Sequence, residues 1–144
     1  MVIKPYTHYI EDEILPLYQS VGWSNYYEHP EMLEKAFVGS LCTLAAYDGE
    51  ELVGIIRAVG DGHSILFIQD ILVCPAYQRC GIGSALMKAL LEKYRDVYQI
   101  ELATDSTEKT VSFYKSLGFL PLHEIGGCAF LKHGTGFGGF SHEN

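Results

Sequence analysis

Asp70-Ile71-Leu72-Val73-Cys74-Pro75-Ala76-Tyr77-Gln78-Arg79-Cys80-Gly81-Ile82-Gly83-Ser84-Ala85-Leu86 is the stretch that decides the fold. It reads as a strand, a glycine loop and a helix. The strand is rich in β-forming residues and stops at Pro75, which cannot donate to a ladder. Beyond the loop, Leu86, Met87, Leu90, Leu91 and Tyr94 recur at i, i+3, i+4 spacing, the mark of a helix with one face on a core. The first turn of such a helix has free N–H groups and a partial positive charge, so it favours phosphate. Glycines let a ligand approach the backbone without a Cβ in the way, and successive N–H groups there form an anion nest. Two familiar phosphate motifs fail on spacing. A P-loop needs Lys after its last glycine, and Ser84 follows Gly83. A dinucleotide fingerprint needs a third glycine, where this chain has Leu86.

Outward from this stretch the order of elements is legible. Val2–Tyr6 is a short strand candidate. Asp12–Val21 carries Ile14, Leu15, Leu17, Tyr18 and Val21 at helical spacing, with Pro16 tolerable only in a first turn. Gly22-Trp23-Ser24-Asn25-Tyr26-Tyr27 is an aromatic turn, and Pro30 suits the start of a helix over residues 31–38. Leu41–Tyr47 and Leu52–Val59 form a hairpin about Asp48-Gly49-Glu50-Glu51. Ile65–Val73 is a long strand ahead of the glycine loop. Tyr98, Ile100 and Leu102 alternate with polar residues as a strand does. Thr107–Leu117 reads as a helix capped by Ser106 or Thr107 and closed by Gly118. Gly118–Leu122 and Cys128–Lys132 are the last strand candidates. The pattern is one α+β domain over residues 1–133. A glycine-rich tail, 134–144, is expected to be mobile or draped on the surface.

Composition narrows the class. The chain has 144 residues, 48% of them hydrophobic, so a real core can form. No apolar run is long enough to span a bilayer and no leader is visible, which gives a cytoplasmic expectation. A net charge of -8 argues against nucleic acid and leaves room for a cationic substrate. The four cysteines, Cys42, Cys74, Cys80 and Cys128, contain no C-x-x-C pair, so no metal site is expected. Cys42 and Cys128 read as small core residues. Cys80, before a helix, is either a reactive thiol or a residue that works through its backbone N–H.

The glycine-loop string resembles the GCN5-related N-acetyltransferase (GNAT) family, whose signature is [QR]-x-x-G-x-[GA] at the start of the central helix. Gln78, Gly81 and Gly83 match it. Ile71-Leu72-Val73-Cys74-Pro75 is similar to the family's fourth strand, and Phe113-Tyr114-Lys115-Ser116-Leu117-Gly118-Phe119 to its later helix and turn. The resemblance covers nearly the whole chain. It implies a three-layer fold with a mixed, mainly antiparallel central sheet and helices on both faces. It implies an acyltransferase enzyme with acetyl-CoA as donor. The N–H groups of Arg79, Cys80, Gly81, Ile82, Gly83 and Ser84 would hold the pyrophosphate. The pantetheine arm would lie along Ile71, Leu72 and Val73, between two splayed strands. Members often dimerise through late strands, so a homodimer stays open.

In such a reaction a neutral amine attacks a thioester. At pH 7 only about one alkylamine in a thousand is neutral, and removing the proton costs roughly 4 kcal/mol, so a positioned base or a water chain must help. The family resemblance makes Tyr114 the acid at the CoA sulfur. The family often has Asn seven residues earlier, where this chain has Thr107, which can still hydrogen-bond to the pantetheine end. Asp70, a carboxylate in an apolar strand, is either the base or a structural hydrogen-bonder. Trp23, Tyr26 and Tyr27 could line the acceptor pocket, with Glu28 beside them, and hold an ammonium over their rings. They could equally seal the helix junction. The acceptor is a primary amine of a small molecule or peptide. The alternative from another class is a non-catalytic acyl-CoA-binding or sensor module on the same fold.

Overall fold

The computed structural model describes residues 1–136. The tail expectation falls, from residue 137 on, outside the described residues. Within the stretch read as one domain, the chain forms two units, Met1–Ala103 and Thr104 onward.

The first unit is built on a five-stranded sheet in the order β1-β2-β3-β4-β5. Its strands are β1 (Val2–Pro5), β2 (Cys42–Asp48), β3 (Glu51–Gly60), β4 (Ile65–Val73) and β5 (Gln99–Leu102). The first four pair antiparallel, and β4 with β5 is parallel. Its helices are α1 (Glu11–Ser20), α2 (Ser24–Tyr27), α3 (Pro30–Val38) and α4 (Ile82–Lys93).

Both faces of this sheet are covered. Successive strand residues point to opposite sides, and β3 shows it at adjacent positions. Ile55 packs into a core cluster with Ile14, Leu17 and Tyr18 of α1 and Leu33 and Phe37 of α3. A Cβ on Gly54 would instead meet Ile82 and Leu86 of α4 at 3.4 Å. The helical spacing in α4 does what it implies: Leu86, Met87 and Leu90 are fully buried. No helix among the described residues is long and apolar enough to cross a membrane.

Helix α1 differs from the sequence expectation. It starts at Glu11, so Pro16 lies inside it rather than in its first turn. An interior proline removes a backbone bond at a cost of about 3 kcal/mol. Ile14, Leu17 and Tyr18 bury on the sheet, and most helical stability comes from such packing. Glu13 adds a polar anchor, accepting from Tyr6 at 3.0 Å and from Tyr47 at 3.1 Å.

The second unit holds α5 (Glu108–Ser116) and a 3-10 turn at Leu122–Ile125. Thr107 caps α5 by accepting from the Thr110 N–H, and Gly118 follows at φ 96°. The expected strands 118–122 and 128–132 do not form. A strand needs a neighbour for its N–H and C=O groups, and neither segment has one among the described residues. Cys128 is exposed, not a core residue, whereas Cys42 is buried.

Candidate active site

The glycine loop is made by backbone conformation. Pro75–Tyr77 form a 3-10 turn after β4. Arg79 has φ 68° and Gly81 φ 81°, and Arg79 is the only non-glycine among the described residues with a positive φ. A left-handed conformation costs an L-residue about 1–2 kcal/mol. That strain sits where left-handed residues alternate with Cys80, the arrangement that turns N–H groups to one side as a nest.

Gly81 is also the N-cap of α4 and brings no side chain to cap its first turn. The first N–H groups of a helix have no partner within it, so those of Ile82, Gly83 and Ser84 join the nest. A Cβ at Gly81 would meet nothing, so its glycine is needed for φ alone. Gly83 has no such φ, and a Cβ there would reach only Val73 at 4.0 Å. Packing therefore does not demand glycine at 83. Gln78 donates from Nε2 to the Val73 carbonyl at 3.1 Å, tying the loop to the strand end. Tyr77 donates to Asp48 at 2.8 Å, tying it to the β2–β3 turn.

Strand β4 is half open. Its ladder with β3 runs to Val73, but its parallel ladder with β5 covers only residues 65–68. From Gln69 to Val73 the β5-facing edge of β4 carries no ladder bonds among the described residues. An extended, amide-bearing chain can pair with such an edge. Ile71, Leu72 and Val73, read as the pantetheine segment, all lie on it. Open edge and nest run on into each other, which suits a long ligand with a diphosphate at one end.

Asp70 is 2% exposed and Arg57, on β3 opposite it, is 3% exposed. Arg57 donates to Asp70 Oδ2 from Nε at 2.8 Å and from Nη2 at 2.7 Å. Tyr18 donates to the same oxygen at 2.8 Å. The remaining Arg57 nitrogen reaches Ser40 Oγ at 3.1 Å. A buried ion pair of this kind survives because its polar atoms are matched by hydrogen bonds. Burial, then the adjoining carboxylate, pushes the Tyr18 phenol well above its ordinary range.

Above this pair sit the aromatic residues. The Trp23 and Tyr26 rings lie 6.1 Å apart, and both meet Tyr18 edge-on. The Tyr26 hydroxyl accepts from Gln69 Nε2 at 3.0 Å. Burial first, and Asp70 second, raise its pKa. Tyr27 packs on the core cluster, and Glu28 is exposed at the end of α2. The structure thus brings Trp23, Tyr26 and Asp70 together and leaves Glu28 on the surface.

Thr107 and Tyr114 belong to the second unit. The Thr107 hydroxyl bonds Asp105 at 2.7 Å while capping α5. Tyr114 packs edge-on with Phe113 and Phe119 at 5.0 and 5.9 Å. Its phenol pKa is raised by burial, then by Asp105.

Three residues escaped the sequence reading: Tyr18, Arg57 and Gln69. Arg57 left a usable signal, since a lone cation inside the apolar run 52–59 requires a buried anion, and Asp70 is in the next strand. Gln69 left none.

An anion nest at the end of a half-open strand is an arrangement that a long ligand with a diphosphate and amide groups can occupy. This chain belongs to the acetyltransferase (GNAT) family, whose model matches residues 7–119. Members of that family take their acetyl group from acetyl-CoA. A GNAT family acetyltransferase from Streptococcus pneumoniae TIGR4 is 44% identical, with a TM-score of 0.84 over 93% of this chain and 98% of that one. An uncharacterized N-acetyltransferase of Prochlorococcus marinus, ycf52-like, is 30% identical over 122 residues, 82% of this chain and 67% of its own length. The chloroplastic GCN5-related N-acetyltransferase 1 of Arabidopsis thaliana is 37% identical over 81 residues, and the match spans only 41% of its length. An aminoglycoside 6'-N-acetyltransferase complexed with coenzyme A shares the fold at TM-score 0.59 and 22% identity, over 66% of this chain and 56% of that one.

Proposed function

We propose that this chain transfers an acetyl group from acetyl-CoA to a primary amine of a small, cationic molecule or peptide. The observation that carries the reading is the continuity of the Arg79–Ser84 nest with the open edge of β4. Acetyl-CoA, when bound, supplies an acetyl group activated as a thioester. The N–H groups of residues 79–84 hold its pyrophosphate, and Ile71, Leu72 and Val73 offer their backbone to its amide arm.

Tyr114 is the group that attends the leaving sulfur. A raised phenol pKa refines its role. A thiol ionises near pH 8.5 and a free phenol near 10, so a still higher phenol would give up its proton to a thiolate only uphill. Tyr114 therefore stabilises the departing thiolate by donating a hydrogen bond. Thr107, whose hydroxyl caps α5, fixes the start of the helix that carries Tyr114.

Asp70 supports the structural alternative better than the role of base. Its Oδ2 already accepts from Arg57 and Tyr18, and a base must be within reach of the proton it takes. Asp70 instead anchors the floor of the acceptor site, and Trp23 and Tyr26 present ring faces to a cation. Tyr27 supports that wall, and Glu28 at its rim attracts a cationic substrate. Four free cysteines suit a reducing compartment such as the cytoplasm.

The experiment is CoA release from acetyl-CoA across a panel of amines: a polyamine, an amino sugar, an arylalkylamine and a peptide with a free lysine. Turnover with at least one supports the reading. Acetyl-CoA binding without turnover across the panel would favour a sensor module.

A further inference from the structure

Gln69 stands where β4 carries one residue more than β3. Arg57 faces Asp70 and Ala58 faces Ile68, so Gln69 has no partner across the ladder. Such a bulge bends its strand and re-aims a side chain, and bulges are common beside active sites. Here Ile68 and Asp70 are buried while Gln69 between them is exposed. Its amide is aimed at the Tyr26 hydroxyl, 3.0 Å away, and that bond is open to solvent.

A phenol oxygen has one hydrogen to give and two positions at which to accept. Gln69 occupies one accepting position. The anionic Asp70 beneath favours the phenol in its protonated form and draws its hydrogen inward. That leaves one accepting position on the phenol, beside the exposed Gln69 amide and the Trp23 ring. A group with N–H to donate fits it, and a carboxylate or phosphate does not.

We infer that Tyr26, aligned by Gln69 across the β4 bulge, is the group that receives the acceptor's amine, and that Gln69 is its positioning residue. The inference rests on the acetyltransferase reading above. It assigns the acceptor nitrogen to a side chain of the first unit and favours cationic amines over acceptors with an acidic group beside the nitrogen. The Gln69 amide donates to the Tyr26 hydroxyl; it acts through the phenol.

The test uses the full chain with spermidine, 2-phenylethylamine, glucosamine and a lysine peptide as acceptors. Tyr26→Phe keeps the ring and removes the oxygen; Gln69→Leu removes the donor at an exposed site. Each should raise the amine KM about tenfold, the scale of one hydrogen bond from a charged donor. The acetyl-CoA KM and the Tm should stay put. The double variant should be no worse than Tyr26→Phe alone, because both act on one contact.

A charge pair excludes a merely structural tether. Gln69→Lys places a cation beside the bound ammonium and should raise the amine KM more than Gln69→Leu. Gln69→Glu places an anion there and should raise it less. Equal effects of Lys, Leu and Glu, an unchanged amine KM in Tyr26→Phe, or a parallel rise in the acetyl-CoA KM would overturn the inference while leaving the acetyltransferase reading intact. No turnover of any amine by the unaltered chain would remove both.

Discussion

The two sides of the site in the first unit are made of different material. The proposed donor side, from Ile71 to Ser84, is a matter of backbone: an open strand edge, two left-handed residues and an uncapped helix start. The proposed acceptor side is a matter of side chains drawn from α1, α2 and its N-cap, β3 and β4: Tyr18, Trp23, Tyr26, Arg57, Gln69 and Asp70. Backbone recognition depends on where side chains are absent. It fails when a Cβ is added, and it tolerates most other changes. Side-chain recognition fails one functional group at a time, and so it is the side on which relatives can diverge in substrate.

The contrast is easiest to break at Gly83. A valine there needs no unusual φ, and its Cβ would make only an ordinary contact with Val73, at 4.0 Å. Acetyl-CoA affinity should fall by at least about a hundredfold with Tm unchanged; several hydrogen bonds at about 1–2 kcal/mol each are at stake. Titration calorimetry with acetyl-CoA checks it, and retained affinity would mean that the nest is not the pyrophosphate site. Gly81 is a poorer probe, because any side chain at φ 81° strains the loop by itself.

On the acceptor side the largest effect should be on stability. Asp70→Ala leaves the Arg57 guanidinium buried without its anion, at a cost of about 3–5 kcal/mol. Urea unfolding measures it. A loss under 1 kcal/mol would show that the pair is not the floor of that side.

Tyr114→Phe should lower kcat by about ten- to a thousandfold with little change in acetyl-CoA affinity, the scale of losing one hydrogen-bond donor to a developing charge. Because the phenol pKa is raised, that assistance should persist above pH 10, where an ordinary tyrosine ionises. An unchanged kcat would remove Tyr114 from the chemistry.

The smallest effect is a pH slope. Tyr18 is raised well above 10 in the folded chain, and Tyr9, Tyr47 and Tyr94 are raised to about 12. Above pH 10 the unfolded chain releases protons that the folded chain keeps, so stability falls as pH rises. It is complete below pH 10, and Tyr18 alone contributes a slope of about 1.4 kcal/mol per pH unit above it. Urea unfolding at pH 9, 10 and 11 should show the decline; a flat profile would contradict the burial of Tyr18.

The same contrast governs what the sequence revealed. Strand β4 was legible to the residue, as were the glycine loop and the buried face of α4, because local pattern determines each of them. The Asp70 environment was only half legible. Its partners come from α1 and β3, and no local pattern reports a contact between Tyr18 and Asp70, 52 residues apart. The bulge at Gln69 is a property of register between two strands and leaves no mark in either. Pro16 and residues 128–132 misled in opposite ways. Packing on the sheet overrides the helix penalty at Pro16, and β-forming composition at 128–132 makes no strand without a neighbour to pair with.

The most direct test of the account is acetyl-CoA turnover by the unaltered chain over the amine panel, beside the Gly83→Val and Tyr26→Phe variants. The account predicts CoA release that needs both acetyl-CoA and an amine, is lost in Gly83→Val through the cofactor, and is weakened in Tyr26→Phe through the amine alone. Tight acetyl-CoA binding with no amine-dependent release of CoA would contradict it.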